Sequence, residues 1–334
     1  MRSSVDHVLI TAAVDWTTVL SDAVRVLAWS PQGRLLAVAA NGSALVENRE
    51  RVTAPMTPDP RDATWLGERA LAVVDPLAGV VTAGFDRAQP LAFRGARSIG
   101  THGGRMIVAG DGRVAVFGHL GLSTIPEVIW TGIGATHVCV HVGGNLWALG
   151  GTGGLALVDV ALGCIDTRLE LPGVVAVSSR GDAGRLVASD LAGVIHVLHL
   201  SDLRNGIELT GYCDPVRHLS LSPDGRTVVA AADDEITRWA IATDGAVADE
   251  PTCVVARDAT ITVLESSNNG FLATGDEHGV VYIWSPLLPE YPVAALRLDS
   301  EITAIAWNRD GTCLACGAVS GQLVVAHITA GALA

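Results

Sequence analysis

One short pattern recurs eight times along this chain: an apolar strand, a tight turn built on Gly or Asp, and a second apolar strand. The turns are centred on Gly42, Gly79, Gly112, Gly154, Gly193, Asp234, Gly279 and Gly321. Successive turns lie about 40 residues apart, and units of that length cannot bury their apolar face alone. The chain is therefore constrained to a repeat architecture in which short strands pack against neighbouring units.

This period, with several strands in each unit, predicts an all-β fold. We expect residues 1–334 to form a single β-propeller domain, a closed ring of four-stranded antiparallel blades. The predicted units cover residues 24–56, 62–94, 96–130, 136–171, 174–210, 216–256, 259–298 and 301–328. Eight blades are favoured over seven, and seven is the alternative in which one middle unit is an excursion from the ring.

The two ends of the chain are predicted to meet in one blade. The last unit runs out of sequence after its third strand, near Ile328, so its outer strand is missing. Because an unpaired edge strand invites pairing with other chains, a closed ring needs this strand from elsewhere. We expect the segment near residues 16–20 to supply it, with residues 1–13 left as a short extra strand or a tail.

Three units, at residues 24–46, 216–241 and 259–284, carry more specific motifs. The first two contain a Ser-Pro-x-Gly turn after the first strand, and Asp233 stands six residues before Trp239. In these features the units resemble WD40 repeats, in which an aspartate in the turn precedes a terminal tryptophan. The resemblance implies a propeller that presents binding surfaces.

The resemblance weakens along the rest of the chain. The unit at 301–328 lacks the terminal tryptophan, and the four units between 62 and 210 keep the spacing but lose the motifs. The family's Gly-His pair before each unit is missing, so its usual hydrogen-bond network must be rebuilt or partly absent. His278 stands six residues before Trp284, in the slot of the turn aspartate, and we expect it to hydrogen bond there.

Composition excludes several classes of function. The formal net charge of −13 argues against binding to nucleic acid or to an anionic membrane, both of which require a basic surface. All 22 basic residues are arginine, so mechanisms that use a Schiff-base or P-loop lysine are excluded. With no recognisable signal peptide and only six cysteines, we expect a cytoplasmic protein. The Arg-, Ala- and Gly-rich composition is typical of a bacterial source.

A candidate metal site lies in the fourth unit. His137, Cys139 and His141 alternate along the predicted inner strand and therefore share one face, and imidazole and thiolate are ligands of zinc and copper. His102, His119 and His218 are further candidates from other units. The structural alternative is a set of hydrogen-bonded histidines and a packed cysteine between blades.

Two other pairs, by contrast, are predicted to be structural. Cys313 and Cys316 are three residues apart on a strand, which places their side chains on opposite faces. The same spacing separates His196 from His199, and we expect both histidines in an outer strand near solvent.

The leading interpretation is a non-catalytic scaffold or assembly platform that binds another protein or peptide, which the charge suggests is basic. Exposed Arg and aromatic residues on loops commonly anchor such partners, and the candidates are Arg25, Arg217, Trp65, Arg97 and Glu301. The ring itself is expected to be monomeric. The alternative function is a zinc or copper propeller that acts as a chaperone or metalloenzyme. No residue set supports an enzyme without a metal.

Overall fold

The computed structural model describes residues 8–46, 50–52, 59–66, 70–75, 79–84, 88–91, 93–118, 126–180, 183–242, 246–247, 250–255, 259–286 and 288–332. Within these ranges the regular elements are all β-strands. None of the described segments is a helix long and apolar enough to cross a membrane.

The strands form eight four-stranded antiparallel blades, as the sequence predicted. The N-terminal strand and the strands of blades 1 and 2 are β1 (Val8–Val19), β2 (Val24–Trp29), β3 (Leu35–Ala39), β4 (Ala44–Val46), β5 (Glu50–Val52), β6 (Asp62–Trp65), β7 (Ala70–Asp75), β8 (Gly79–Gly84) and β9 (Ala88–Leu91). Blades 3 and 4 contain β10 (Ala96–His102), β11 (Arg105–Phe117), β12 (Val128–Gly143), β13 (Leu146–Gly151), β14 (Gly154–Asp159) and β15 (Cys164–Leu169).

The second half of the ring is more regular. Blades 5 and 6 contain β16 (Val174–Arg180), β17 (Arg185–Asp190), β18 (Ile195–His199), β19 (Asp202–Leu209), β20 (His218–Leu221), β21 (Thr227–Ala232), β22 (Glu235–Ala240) and β23 (Thr252–Val255). Blades 7 and 8 contain β24 (Ile261–Ser266), β25 (Leu272–Asp276), β26 (Val280–Ser285), β27 (Leu288–Arg297), β28 (Ile302–Trp307), β29 (Cys313–Ala318) and β30 (Gln322–Ala332).

Blades 3 and 4 share one six-stranded sheet, because two of their strands are continuous. Strand β11 supplies the second and third strands of blade 3, on either side of Gly112. Strand β12 supplies the fourth strand of blade 3 and then the first strand of blade 4.

The first strand of each blade is innermost and contacts the first strands of both neighbouring blades. The ring runs through β2, β6, β10, β12, β16, β20, β24 and β28 and returns to β2. Second strands such as β3 and β25 are buried along their whole length, since neighbouring blades cover both of their faces. The outer strand β15 instead alternates between exposed and half-buried residues, as expected at the perimeter.

The ring is closed by pairing between β1 and β30, which confirms the predicted N-terminal closure. The closing strand is longer than the predicted segment 16–20, because β30 continues to Ala332 and offers a longer edge. Pairing extends from Val19 opposite Gln322 to Val8 opposite Ala332, with a bulge between Val14 and Trp16. The prediction that residues 1–13 are separate from this strand is therefore wrong for residues 8–13.

The eight turns between second and third strands have the geometry that their sequence predicted. The seven turn glycines adopt positive φ, and in blade 6 the same conformation falls on Asp233 (φ 51°) rather than on the predicted centre Asp234. Side chains rarely adopt this conformation. We call the edge of the ring that carries these turns the turn rim, and the edge that carries the turns between first and second strands the opposite rim.

Tryptophans at the ends of three first strands tie adjacent blades together. Each indole N–H donates to a carbonyl oxygen of the preceding first strand: Trp29 to Ala306 at 3.0 Å, Trp65 to Ala28 at 2.9 Å and Trp307 to Glu265 at 3.2 Å. A buried N–H that lacked such an acceptor would cost free energy, so these bonds fix how neighbouring blades pack.

Candidate functional site

Three of the five predicted partner-binding residues occupy equivalent positions on the turn rim. Arg25 and Arg97 are the second residues of β2 and β10, at a bulge where the pairing register slips by one residue. Arg217 directly precedes β20 at the corresponding place in blade 6. Bulges re-aim side chains at strand ends, and here they carry arginines near the inner edge of the rim.

The three arginines differ in their partners. Arg97 Nε lies 2.7 Å from Asp111 Oδ1, and Arg25 Nε lies 3.6 Å from Asp59 Oδ1. Both pairs are partly exposed, so they contribute little to stability. Arg217 is exposed and has no ion-pair partner among the residues that the structure describes.

Glu301 lies on the same rim, beside the ring closure. Its carbonyl oxygen accepts a hydrogen bond at 2.9 Å from the backbone N–H of Val319. Val319 is 45% exposed, and Val19 at the end of β1 is 68% exposed. Arg25 lies in the adjoining blade 1. We call Val19, Arg25, Glu301 and Val319, which lie on the turn rim of blades 8 and 1, the closure patch. It contains two of the predicted residues and two that the sequence did not single out.

Trp65 is buried, contrary to the expectation of an exposed anchor. Only 5% of the residue is exposed, and it packs with Val26, Leu36 and Leu71 between blades 1 and 2. Its position at the end of a first strand, like that of Trp29, is the sequence signal that could have identified it as structural.

The three predicted metal-ligand residues belong to strand β12. The backbones of His137 and Cys139 belong to β12, while their side chains lie outside the described part of the structure. His141 sits at the far end of the strand, where Nε2 lies 3.0 Å from the carbonyl oxygen of Gly144. His119 is also outside the described residues.

His141 does meet one of the further candidates. His102 of blade 3 stacks on it, with ring centroids 3.6 Å apart and planes 17° apart. Burial and the neighbouring His141 both lower the pKa of His102. In stacked rings the nitrogen lone pairs lie in nearly parallel planes and do not converge. Among the described residues, no group of three or more His, Cys, Asp or Glu could hold a metal.

Two sequence expectations about histidines are wrong. His196 is buried in the third strand of blade 5, and its Nε2 lies 2.9 Å from the Asp190 carboxylate. Neighbouring blades cover that strand, so the polar ring needs a partner, and Asp190 supplies it. His278 does not replace the turn aspartate of blade 7, because Asp276 accepts hydrogen bonds from the backbone N–H groups of His278 and Val280. Cys313 and Cys316 lie on β29 as predicted, and Cys316 is fully buried.

Sequence reasoning missed a polar cluster at the inner edge of blades 5 to 7. Arg180 at the end of β16 donates from Nη2 to Ser266 Oγ at 3.0 Å, and Ser266 Oγ lies 2.5 Å from Ser220 Oγ. Blades 5 and 7 are not adjacent, so the Arg180 side chain spans the inner edge of blade 6. The cluster could not be read from the chain because its members come from three different units.

Glu265 belongs to the same cluster and faces the Arg180 charge. The residue is exposed to solvent, yet protein surrounds it densely enough for desolvation to raise its pKa to about 7, while Arg180 acts to lower it. Because water reaches the Glu265 carboxylate, it screens the charge. The effect of Glu265 on the free energy of unfolding is therefore smaller than its raised pKa alone implies.

Comparison with known proteins supports the architecture. The sequence profile of the WD domain, G-beta repeat, matches residues 205–239. The match runs from the fourth strand of blade 5 to Trp239 in the third strand of blade 6. One sequence repeat therefore spans two blades, which explains why an N-terminal strand must complete the last blade. A search of curated proteins gives no match.

Solved structures show the same fold. The chain is similar to the crystal structure of the computationally designed Ika8 protein, with a TM-score of 0.75 over 94% of this chain and 98% of that one. At 15% sequence identity this similarity is evidence for the fold alone. The eight blades establish the fold as a β-propeller, and one of its repeats, at residues 205–239, is similar to the WD domain, G-beta repeat.

Proposed function

We propose that this propeller is a non-catalytic platform that binds another protein through the closure patch on its turn rim. The observation that carries the proposal is the exposure of Val19 and Val319 on the turn rim at the ring closure, where the charged Arg25 and Glu301 are exposed as well. Exposed apolar residues rimmed by charges are typical of protein-binding surfaces. WD40 propellers commonly serve as interaction scaffolds, and the assignment draws on that analogy.

The charge of the chain favours a basic partner. With a formal net charge of −13, the protein attracts positively charged surfaces at long range, and this steering speeds encounter. Burial of the two valines then supplies affinity at short range. Arg217 in blade 6 and Arg97 in blade 3 extend the contact surface around the same rim.

The test is a quantitative crosslinking and co-purification experiment with the full chain from its native host. Val19→Asp combined with Val319→Asp should reduce partner recovery by about ten-fold, because a charge replaces each apolar contact. The matched control is Leu162→Asp. Leu162 is 77% exposed in a turn of the opposite rim, and its substitution should leave recovery unchanged.

Arg25→Ala combined with Arg217→Ala provides a second arm. Both side chains are exposed, so we expect weaker partner binding with little change in melting temperature. Equal recovery by all variants, or equal loss with the Leu162 control, would contradict the proposal. A large loss of stability would instead mark the arginines as structural.

Zinc or copper binding through His137, Cys139 and His141 is the second candidate. It rests on the sequence pattern, in which imidazole and thiolate, both ligands of zinc and copper, recur along one strand, β12. Elemental analysis of untagged protein, followed by zinc and copper titration, tests it. Uptake that His141→Ala abolishes supports the site, and the absence of uptake by the unmodified protein rejects it.

A further inference from the structure

A pocket of about 370 Å³ opens on the opposite rim between blades 6 and 7. Two turns frame its mouth: the Ser-Pro-Asp-Gly turn that follows β20, and the Asn-containing turn that follows β24. The volume lies within the range of pockets that enclose small ligands. The closure patch is on the other rim, so this pocket is independent of the proposed function.

The inner wall of the pocket is apolar. Val229, Ile236, Leu272 and Trp284 line it, and they belong to the buried core that joins the two blades. The Trp284 indole N–H is already satisfied by Thr274 Oγ1 at 3.0 Å, so the ring offers an apolar surface rather than a free donor. This wall suits an aliphatic or aromatic group.

One charged side chain in the pocket lacks a counterion. Arg238 on β22 is half-buried, and no carboxylate among the described residues pairs with its guanidinium. Its partial burial lowers the pKa of Arg238, and nothing on the described chain compensates the charge. A guanidinium beside an apolar wall is suited to a planar carboxylate, which it can hold through two parallel hydrogen bonds.

A second positive group lies behind the inner end of the pocket. Ser220 and Ser266 line it, and Arg180 donates to Ser266. Arg180 Nε is fully buried and has no hydrogen-bond partner among the described residues. The positive charge at this end of the pocket is thus only partly offset, by Glu265 beside Arg180.

Asp224 is the carboxylate at the mouth of the pocket, and its hydrogen bonds are made within its own turn. It accepts hydrogen bonds from Ser222 Oγ at 2.6 Å and from the Arg226 backbone N–H at 3.0 Å. These donors, together with the Arg226 charge, lower the pKa of Asp224, so it is ionised at neutral pH but partly neutralised locally. An anionic group is therefore favoured deeper in the pocket, beside Arg238.

From this arrangement we infer that the pocket binds a carboxylate carried by an apolar group, with Arg238 holding the carboxylate and Trp284 contacting the apolar part. The carboxylate can belong to a free organic acid or to the C-terminus of a peptide, and the two sources present the same chemistry to the pocket.

Isothermal titration of the full chain tests this inference. The probes are 4-phenylbutyrate with its neutral amide, and N-acetyl-glycyl-phenylalanine with a free or an amidated C-terminus. At least one acid should bind about ten-fold more tightly than its own amide, because only the acid pairs with the guanidinium. Preference for the free acid or for the peptide then identifies the source.

Variants locate the binding. Arg238→Gln should reduce the affinity of the acid to that of the amide, and Arg238→Lys should restore part of it. Arg297→Gln is the matched control, since Arg297 is exposed at the end of β27 in blade 7 and lies outside the pocket lining. Equal binding of acid and amide, the absence of binding by every probe, or equal effects of the Arg238 and Arg297 substitutions would overturn the inference.

Discussion

Two arcs of the ring reach the same blade geometry by different means. Blades 6, 7, 8 and 1 form the repeat-like arc, in which each blade is a separate four-stranded sheet and WD-type motifs recur. Blades 2 to 5 form the divergent arc, in which blades 3 and 4 share continuous strands. The comparison teaches that strand spacing and apolar alternation are sufficient for a blade, even where the WD-type motifs are lost.

Both arcs use hydroxyls to join adjacent blades. In the repeat-like arc, Thr262 and Thr303 donate from their hydroxyls to carbonyl oxygens of the next first strand, at 2.6 and 2.5 Å. In the divergent arc, the Thr101 hydroxyl donates to the carbonyl oxygen of Trp65 at 3.2 Å. The divergent arc adds two contacts of another kind: Asp62 accepts from the Ile99 N–H at 2.9 Å, and the Trp147 ring packs against Gly100.

The turn glycines provide the largest contrast. A Cβ on Gly321 would lie 2.5 Å from the carbonyl oxygen of Leu20, whereas a Cβ on Gly112 would meet nothing within 4 Å. Both residues have positive φ, so Gly112→Ala isolates the conformational cost, about 1 kcal/mol in free energy of unfolding. Gly321→Ala adds a backbone clash at the ring closure and should cost about 3 kcal/mol or more. Urea unfolding of both variants measures the difference, and equal losses would contradict it.

Gly100 tests the divergent arc. An added Cβ would lie 2.3 Å from the Trp147 ring, and that ring is buried, so Gly100→Ala should lower the free energy of unfolding by about 2 kcal/mol. Ala28 already occupies the equivalent place in blade 1. Adding Trp147→Leu should relieve the clash, so that the double variant loses less than the sum of the single losses. Additive losses in thermal or urea unfolding would show that the contact does not matter.

Removing a tryptophan hydrogen bond between two blades of the repeat-like arc should have a smaller effect on the free energy of unfolding. Trp29→Phe removes the hydrogen bond to Ala306 while keeping most of the ring, and should cost about 1 kcal/mol. Trp16→Phe is the control, because Trp16 packs in the same core but has no hydrogen-bond partner among the described residues. Denaturant midpoints compare the two, and the same loss in both variants would argue against the tie.

The Asp62 carboxyl in the divergent arc should make the stability of the protein depend on pH. Burial raises its pKa from 3.8 to about 6, although the Ile99, Ala63 and Ser98 donors act to lower it. The folded state then binds the proton on Asp62 more tightly than the unfolded chain does. The resulting contribution to the free energy of unfolding is full below pH 3.8 and is lost as pH rises through about 6. The stability of the unmodified protein relative to Asp62→Asn should increase as pH falls from 7 to 4.5. Melting temperatures of both proteins at each pH test this, and a constant difference would contradict it.

Much of the fold was predictable because it depends on local signals. Glycines at regular intervals predicted the turns, and the missing outer strand after Ile328 predicted closure from the N-terminus. The errors arose where burial by a neighbouring blade matters. His196 has no local feature that distinguishes a surface residue from a residue packed between blades, so the sequence reasoning placed it near solvent. Trp65 was also placed at the surface, although its position at the end of a first strand matches that of Trp29.

The sequence by itself determined the architecture of this protein, because the repeat period and the alternation of apolar residues act within a single unit. The tertiary structure alone decided which residues meet across units. It placed Val19 opposite Gln322 at the closure, and it brought Arg180, Ser220 and Ser266 of three blades together. Such contacts depend on how the ring closes and how adjacent blades pack, and no local pattern along the chain encodes them.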